Sequence, residues 1–207
     1  MAQNRAARRR GEQLPTVRWL SAGSLVAIIL TAVVIVGGIV AAIVNAKRVP
    51  ESASNAPIYA SIAVGSTAPA FHVTTIDGTN FDSASVHGPM MLEVFATWCP
   101  HCQHEVNLID SLHQELGPKL AILAASGSPI GMDGSSPSGT NDVQSFASQL
   151  GVEYPIAYDQ DLSVAKSYLQ GGFPTIVFIN GDKKIVAIET GEISLAKLKA
   201  DAKKAGA

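Results

Sequence analysis

Three regimes of hydrophobic patterning divide the chain. From Leu20 to Val44 the stretch LSAGSLVAIILTAVVIVGGIVAAIV runs for 25 residues without a charge. As a helix it is about 37 Å long at ~1.5 Å per residue, enough to cross a hydrocarbon core of about 30 Å with some tilt. The next stretch, VPESASNAPIYASIAVGSTAPA, is rich in Ser, Ala and Pro and has little periodicity, the pattern of a tether. Beyond it, short continuous apolar runs alternate with apolar residues spaced by three and four.

In that third region FHVTTI and TNFDS flank Asp77-Gly78 and predict a hairpin of two short strands between Phe71 and Phe81. PMMLEVFA has the length and polarity of a buried central strand. Val106, Ile109, Leu112 and Leu116 then mark one face of a helix that Gly117-Pro118 ends. LAILAAS predicts a second buried strand, NDVQSFASQLG a capped helix closing on Gly151, and DLSVAKSYL a short helix. FPTIVFIN, Gly181-Asp182 and KKIVAIET predict strand, turn and strand, and SLAKLKADAKKAG a terminal helix with its basic end where the dipole favours it. SGSPIGMDGSSPSGTN, 126–141, has the composition of a flexible loop, either shaping a substrate groove or plainly disordered. Strands alternating with helices before a closing hairpin imply an α/β domain with a mixed central sheet covered on both faces.

Charge adds an orientation. Arg5, Arg8, Arg9, Arg10 and Arg18 precede the apolar span, whereas only Lys47 and Arg48 follow it closely. The positive-inside bias then keeps residues 1–19 in the cytoplasm, makes 20–44 a single membrane anchor and 45–64 a tether, and puts the domain 65–207 on the extracytoplasmic side. A cleaved secretory signal has the same charge order, but its apolar core is shorter, at about 7–15 residues, and NAKRVPE makes a poor cleavage site. The net charge of −2 conceals this asymmetry. No basic patch is interleaved with stacking aromatics, which argues against a nucleic-acid partner.

Cys99 and Cys102, within EVFATWCPHCQHE, are the only cysteines. They fall where the central strand meets its helix. Pro100 suits the first helical position, which makes Cys99 the N-cap, where unpaired amides and the helix dipole stabilise an anion. A thiolate is therefore favoured at Cys99, and a protonated His101 adds to the effect. Cys102, one turn further in, is shielded and suited to resolve a mixed disulfide. A static bridge closing so short a loop would constrain little chain entropy. A structural zinc site needs a second ligand pair that the chain lacks. Cu(I) held by the two sulfurs and a histidine remains open. Glu93 interrupts a buried strand, where an ionised carboxylate is costly; it either takes the proton of Cys102 or reaches water or a backbone partner. Glu105 is explained equally well as dipole chemistry in a first helical turn. His72, His87, His104 and His113 have no such context.

WCPHC after a buried strand, with GGFPTIVFING some seventy residues later, resembles the thioredoxin superfamily. More narrowly, GSTAPAFHVTTIDGTNF, EVFATWCPHCQHE, FASQLGVEYPIAYDQDLSVAKSY, FPTIVFI and ETGE together resemble the membrane-anchored TlpA/ResA-like thiol-disulfide oxidoreductases of bacteria. The resemblance implies a thioredoxin-like fold with an N-terminal hairpin extension, and no cofactor beyond a redox-active Cys99–Cys102 disulfide. It assigns Cys99 as the attacking thiolate and Cys102 as the resolver. Trp98, Phe173, Pro174 and Thr175 are implied to bind substrate, with a cis peptide before Pro174. Pro100 and His101 tune the thiolate. Glu93 matches the buried acid of thioredoxins, and Glu105 an acidic position of the ResA-like subgroup. Implied partners are client proteins with cysteine thiols or disulfides and a membrane electron donor or acceptor, for example in cytochrome c or copper-centre maturation. The Pro-His pair is that of DsbA-like oxidases, which leaves disulfide formation as an alternative to reduction. Sco-like copper chaperones space their cysteines by three residues, where Cys99 and Cys102 are spaced by two, and add a distal histidine in a characteristic place. Peroxiredoxins place a threonine where this chain has Ala96.

Overall fold

The computed structural model describes residues 23, 30–38 and 62–207. Residues 30–38 are helical, and most of the predicted anchor, the tether as far as 61 and the basic N-terminus lie outside the described residues. Among the described residues no helix is long and apolar enough to cross a membrane.

The strands are β1 (His72–Thr74), β2 (Asn80–Asp82), β3 (Met90–Phe95), β4 (Ala121–Ser126), β5 (Ile156–Tyr158), β6 (Thr175–Ile179) and β7 (Ile185–Thr190). The α-helices are α1 (Pro100–Leu116), α2 (Thr140–Leu150), α3 (Ser163–Tyr168) and α4 (Leu195–Ala205). Five strands form one mixed sheet in the order β5-β4-β3-β6-β7. β3 pairs parallel with β4 and antiparallel with β6, so the predicted central strand is central, and all six of its residues are buried.

Side chains alternate across a strand, and β3 divides its residues accordingly. Met91 and Phe95 join Ile109 of α1, Phe146 of α2 and Leu198 of α4 on one face. Met90, Leu92 and Val94 join Val164 and Tyr168 of α3 on the other. Glu93 therefore shares the parity of Met91 and Phe95 and points toward the layer that contains α1. The predicted hairpin forms its own two-stranded sheet. It lies along β5, the edge strand of the sheet, with Ile76 N–H donating to the Ile156 carbonyl at 2.9 Å and a bridge between Thr75 and Ala157. An otherwise open sheet edge is thereby covered.

Two expectations are corrected. α2 begins at Thr140 and has no side-chain cap, because its N-cap is Gly139, which carries no side chain, and Asn141 falls inside the helix; the predicted closure on Gly151, at φ 69°, is present. The loop over 127–139 is hydrogen-bonded rather than structureless. Asp133 accepts from the Ser135 and Ser136 amides, and Ile130 bridges Pro137.

Candidate active site

Cys99 is the N-cap of α1 and Pro100 its first residue. β3 ends at Phe95, and a turn closed by Cys99 N–H on the Ala96 carbonyl, at 3.1 Å, delivers the sulfur to the helix start. No side chain caps this helix. Both cysteines are free thiols with 5% and 1% exposure, the inner one being Cys102. Burial, then the Glu93 charge, push the Cys102 thiol well above its ordinary value. Burial thus favours the protonated form of Cys102.

Two buried carboxylates stand behind it. Glu93 is 2% exposed, and burial, reinforced by Glu105, raises it well above the usual carboxylate range. Glu105 is fully buried and is pushed up to about 7 by burial; the Ile193 amide partly offsets this and the Glu192 charge adds to it. Oε2 of Glu105 accepts from Ile193 N–H at 3.2 Å, while Oε1 has no partner among the described residues. The first-turn explanation of Glu105 is therefore corrected. It is the sixth residue of α1, no acidic residue occupies the first turn, and it faces the interior.

The second wall is the turn before β6. The Phe173–Pro174 peptide is cis, and Pro174 is buried. The Cys99 thiol donates to the Phe173 carbonyl at 3.7 Å. The Phe173 ring meets Trp98 edge-on at 6.0 Å. Trp98, Cys99, Phe173 and Pro174 are thus brought together as expected. Thr175 is not a client contact through its side chain. That hydroxyl is fully buried, accepts from Gln170 N–H at 3.0 Å and is directed at the Gly172 and Gln170 carbonyls, so it fastens the turn instead.

His101 is exposed at the helix front, with Nδ1 3.2 Å from Glu192 Oε2; His104 Nδ1 lies 3.7 Å from the same oxygen. Glu192 lies in the β7–α4 loop between two anchored neighbours. Gly191 N–H donates to the Pro174 carbonyl at 2.8 Å, and Ile193 N–H reaches Glu105. Residue-type reasoning missed Glu192, and it gave His104 no context. The two histidines and the carboxylate are separated by some ninety residues, and only ETGE, otherwise an unremarked loop, pointed there. No group of His, Cys, Asp and Glu among the described residues is arranged to hold a metal ion.

The Redoxin family model matches residues 63–204. The thiol-disulfide oxidoreductase ResA of Bacillus anthracis is 28% identical over 145 residues, covering 68% of this chain and 78% of that relative. A solved thiol:disulfide interchange protein of the thioredoxin family from Chlorobium tepidum TLS superposes with a TM-score of 0.55 at 23% identity, over 70% of this chain and 99% of the other. StoA from Bacillus subtilis superposes with a TM-score of 0.55 at 19% identity, over 64% and 96%. These two structures speak to the thioredoxin-like fold alone.

Proposed function

The chain belongs to the Redoxin family, and on that premise we propose that it is a protein thiol-disulfide oxidoreductase of the ResA kind, working on cysteine-bearing client proteins outside the cytoplasm. The observation that carries this reading is the pair of thiols at the front of α1, with Cys102 held protonated above buried Glu93.

The Cys99 thiolate attacks one sulfur of a client disulfide, which forms a mixed disulfide and releases the other client sulfur as a thiolate that takes up a proton. Cys102 then attacks the Cys99 sulfur. Its proton passes to Glu93, whose raised pKa makes its ionised form a strong enough base to accept it. The Cys99–Cys102 disulfide closes as the second client sulfur leaves as a thiolate, which takes back the proton held by Glu93 and departs as a thiol. Two electrons and two protons pass from the enzyme dithiol to the client. No further cofactor takes part, and a membrane electron donor restores the dithiol.

The reducing direction is supported by the position of His101. A Pro-His pair favours an oxidising disulfide when the imidazole serves the thiolate, but here the His101 ring is engaged by Glu192, with Nδ1 3.2 Å from Oε2. The basic N-terminus and the uncharged span over 20–44 support a single-pass anchor with the domain on the oxidising side. Clients there include proteins whose cysteines must be reduced before haem or copper is attached. Equilibration of the full chain with glutathione buffers tests the direction. A reduction potential near about −270 mV fits the reductase, and one near about −120 mV would reverse the assignment to disulfide formation.

A further inference from the structure

The Cys99 sulfur belongs to a closed circuit of contacts. Its thiol donates to the Phe173 carbonyl at 3.7 Å. The next residue, Pro174, accepts at its own carbonyl from Gly191 N–H at 2.8 Å. Glu192 follows in the chain, and its Oε2 lies 3.2 Å from Nδ1 of His101, two residues beyond Cys99. The circuit returns to its start through one side-chain pair, His101 with Glu192.

Both members of that pair are exposed, at 66% and 42% of their side chains. Such surface pairs add little stability, partly because two side chains lose freedom to form them. Here much of that freedom is already gone, because the backbone is fixed on either side of the carboxylate. Gly191 is tied to Pro174, and Ile193 N–H donates to buried Glu105 Oε2 at 3.2 Å. The geometry also selects one histidine of the two on this face. His104 Nδ1 stands 3.7 Å from the same Glu192 oxygen, beyond hydrogen-bond range.

An ionised carboxylate only accepts hydrogen bonds, so Nδ1 of His101 is the donor to Glu192. A neutral imidazole carries one hydrogen, and the hydrogen bond made by one nitrogen sets the state of the other. With the hydrogen on Nδ1, Nε2 is an acceptor and has nothing to offer a thiolate. A donor to the thiolate would stabilise the reduced form and make the disulfide a stronger oxidant. We infer that Glu192 is a positioning residue: by taking the Nδ1 hydrogen of His101 it fixes the tautomer, withholds a donor from the Cys99 thiolate, and keeps the Cys99–Cys102 disulfide a weak oxidant. The inference rests on the proposed thiol-disulfide exchange and names what regulates its direction.

Two measurements on the full chain in detergent test it. Nitrogen-15 spectra of the reduced protein, taken above the ordinary imidazole range of about 6.5, should show the His101 hydrogen on Nδ1 alone, and Glu192→Ala should bring in the Nε2–H form. Equilibration with glutathione buffers gives the second readout. Glu192→Ala should shift the equilibrium about tenfold toward the dithiol, the effect of one modest hydrogen bond to a charged group, which is about 30 mV for a two-electron couple. The same substitution in a His101→Ala background should shift it by less than about twofold, whereas a displaced loop or a lost carboxylate charge acting directly would keep its effect there. His104→Ala should leave the equilibrium where it is in the parent. Failure of the parent cysteines to exchange with glutathione at all would overturn the exchange reading and this inference with it. Exchange with no shift in Glu192→Ala, an undiminished shift without His101, or a parent ring that carries hydrogen on Nε2 would overturn this inference alone.

Discussion

Glu93 in β3 and Asp201 in α4 are carboxylates with almost no exposure, 2% and 0%, yet their surroundings set them apart. Burial alone would raise Asp201, but hydrogen bonds from Lys197 and Lys204 outweigh it and hold its carboxyl below the ordinary value. Glu93 has no such cation; burial and the nearby Glu105 charge raise it. A buried acid gripped by lysines is a fixed anion that holds a helix in place. One buried beside a thiol with another carboxylate for company can give up and regain a proton. The same residue class thus serves architecture in one region and chemistry in the other.

Removing each carboxylate separates the two uses. Glu93→Gln should slow resolution of the mixed disulfide about 100-fold, the lower range for loss of a general base, while the domain stays folded. Rapid-mixing decay of a preformed mixed disulfide measures it, and an unchanged rate removes Glu93 from the mechanism. In the parent that rate should climb with pH as Glu93 ionises, and the climb should be missing in the variant.

The pH dependence of stability should have opposite signs at the two kinds of site. Glu105 has a folded pKa of about 7 against an ordinary 4.5. Between those values the unfolded chain binds fewer protons, so stability falls as pH rises through the window. The contribution is present in full below about 4.5 and lost as pH passes about 7. Asp201 is depressed, so its contribution is present above the ordinary value and lost as pH falls through the lowered one. Thermal melts of Glu105→Gln from pH 4.5 to 8 should show a shallower decline than the parent; parallel curves would contradict the burial of its charge.

Asp201→Asn should cost about 2 kcal/mol, below the usual cost of breaking a buried pair because Lys197 and Lys204 remain partly hydrated. Denaturant melts give the figure, and client turnover should be unaffected. The smallest effect belongs to the cap of the same helix. Ser194 accepts from Lys197 N–H at 3.3 Å, and Ser194→Ala should lower stability by about 1 kcal/mol without touching thiol reactivity. Altered thiol kinetics in either α4 variant would blur the distinction between the two acids.

How much of this is legible in the sequence depends on how local the cause is. β3, α1 and the N-cap position of Cys99 follow from an apolar run, a three-and-four spacing and one proline, all within 27 residues of chain, Met90 to Leu116. The three residues of β5, directly after Pro155, are too few for alternation to register, and their pairing with β4 is long-range. The loop over 127–139 has a disordered composition, yet it is ordered by a contact from Trp98, 30 residues before Ser128, and by Asp142 of α2, which accepts from Met132 N–H and from Thr97, 45 residues away in the chain. Thr175 directly follows the cis proline, but its side chain points into the turn, which a motif does not reveal. Glu192 acquires a role only through folding, which sets it against His101.

The account's central assignment is that Cys99 meets the client and Cys102 resolves. Single-cysteine variants of the full chain, reduced and exposed to a client disulfide under denaturing quench, test it directly. Cys102→Ser should accumulate a covalent client adduct through Cys99, and Cys99→Ser should accumulate almost none. An adduct through Cys102 that forms as fast as the one through Cys99 would contradict the assignment.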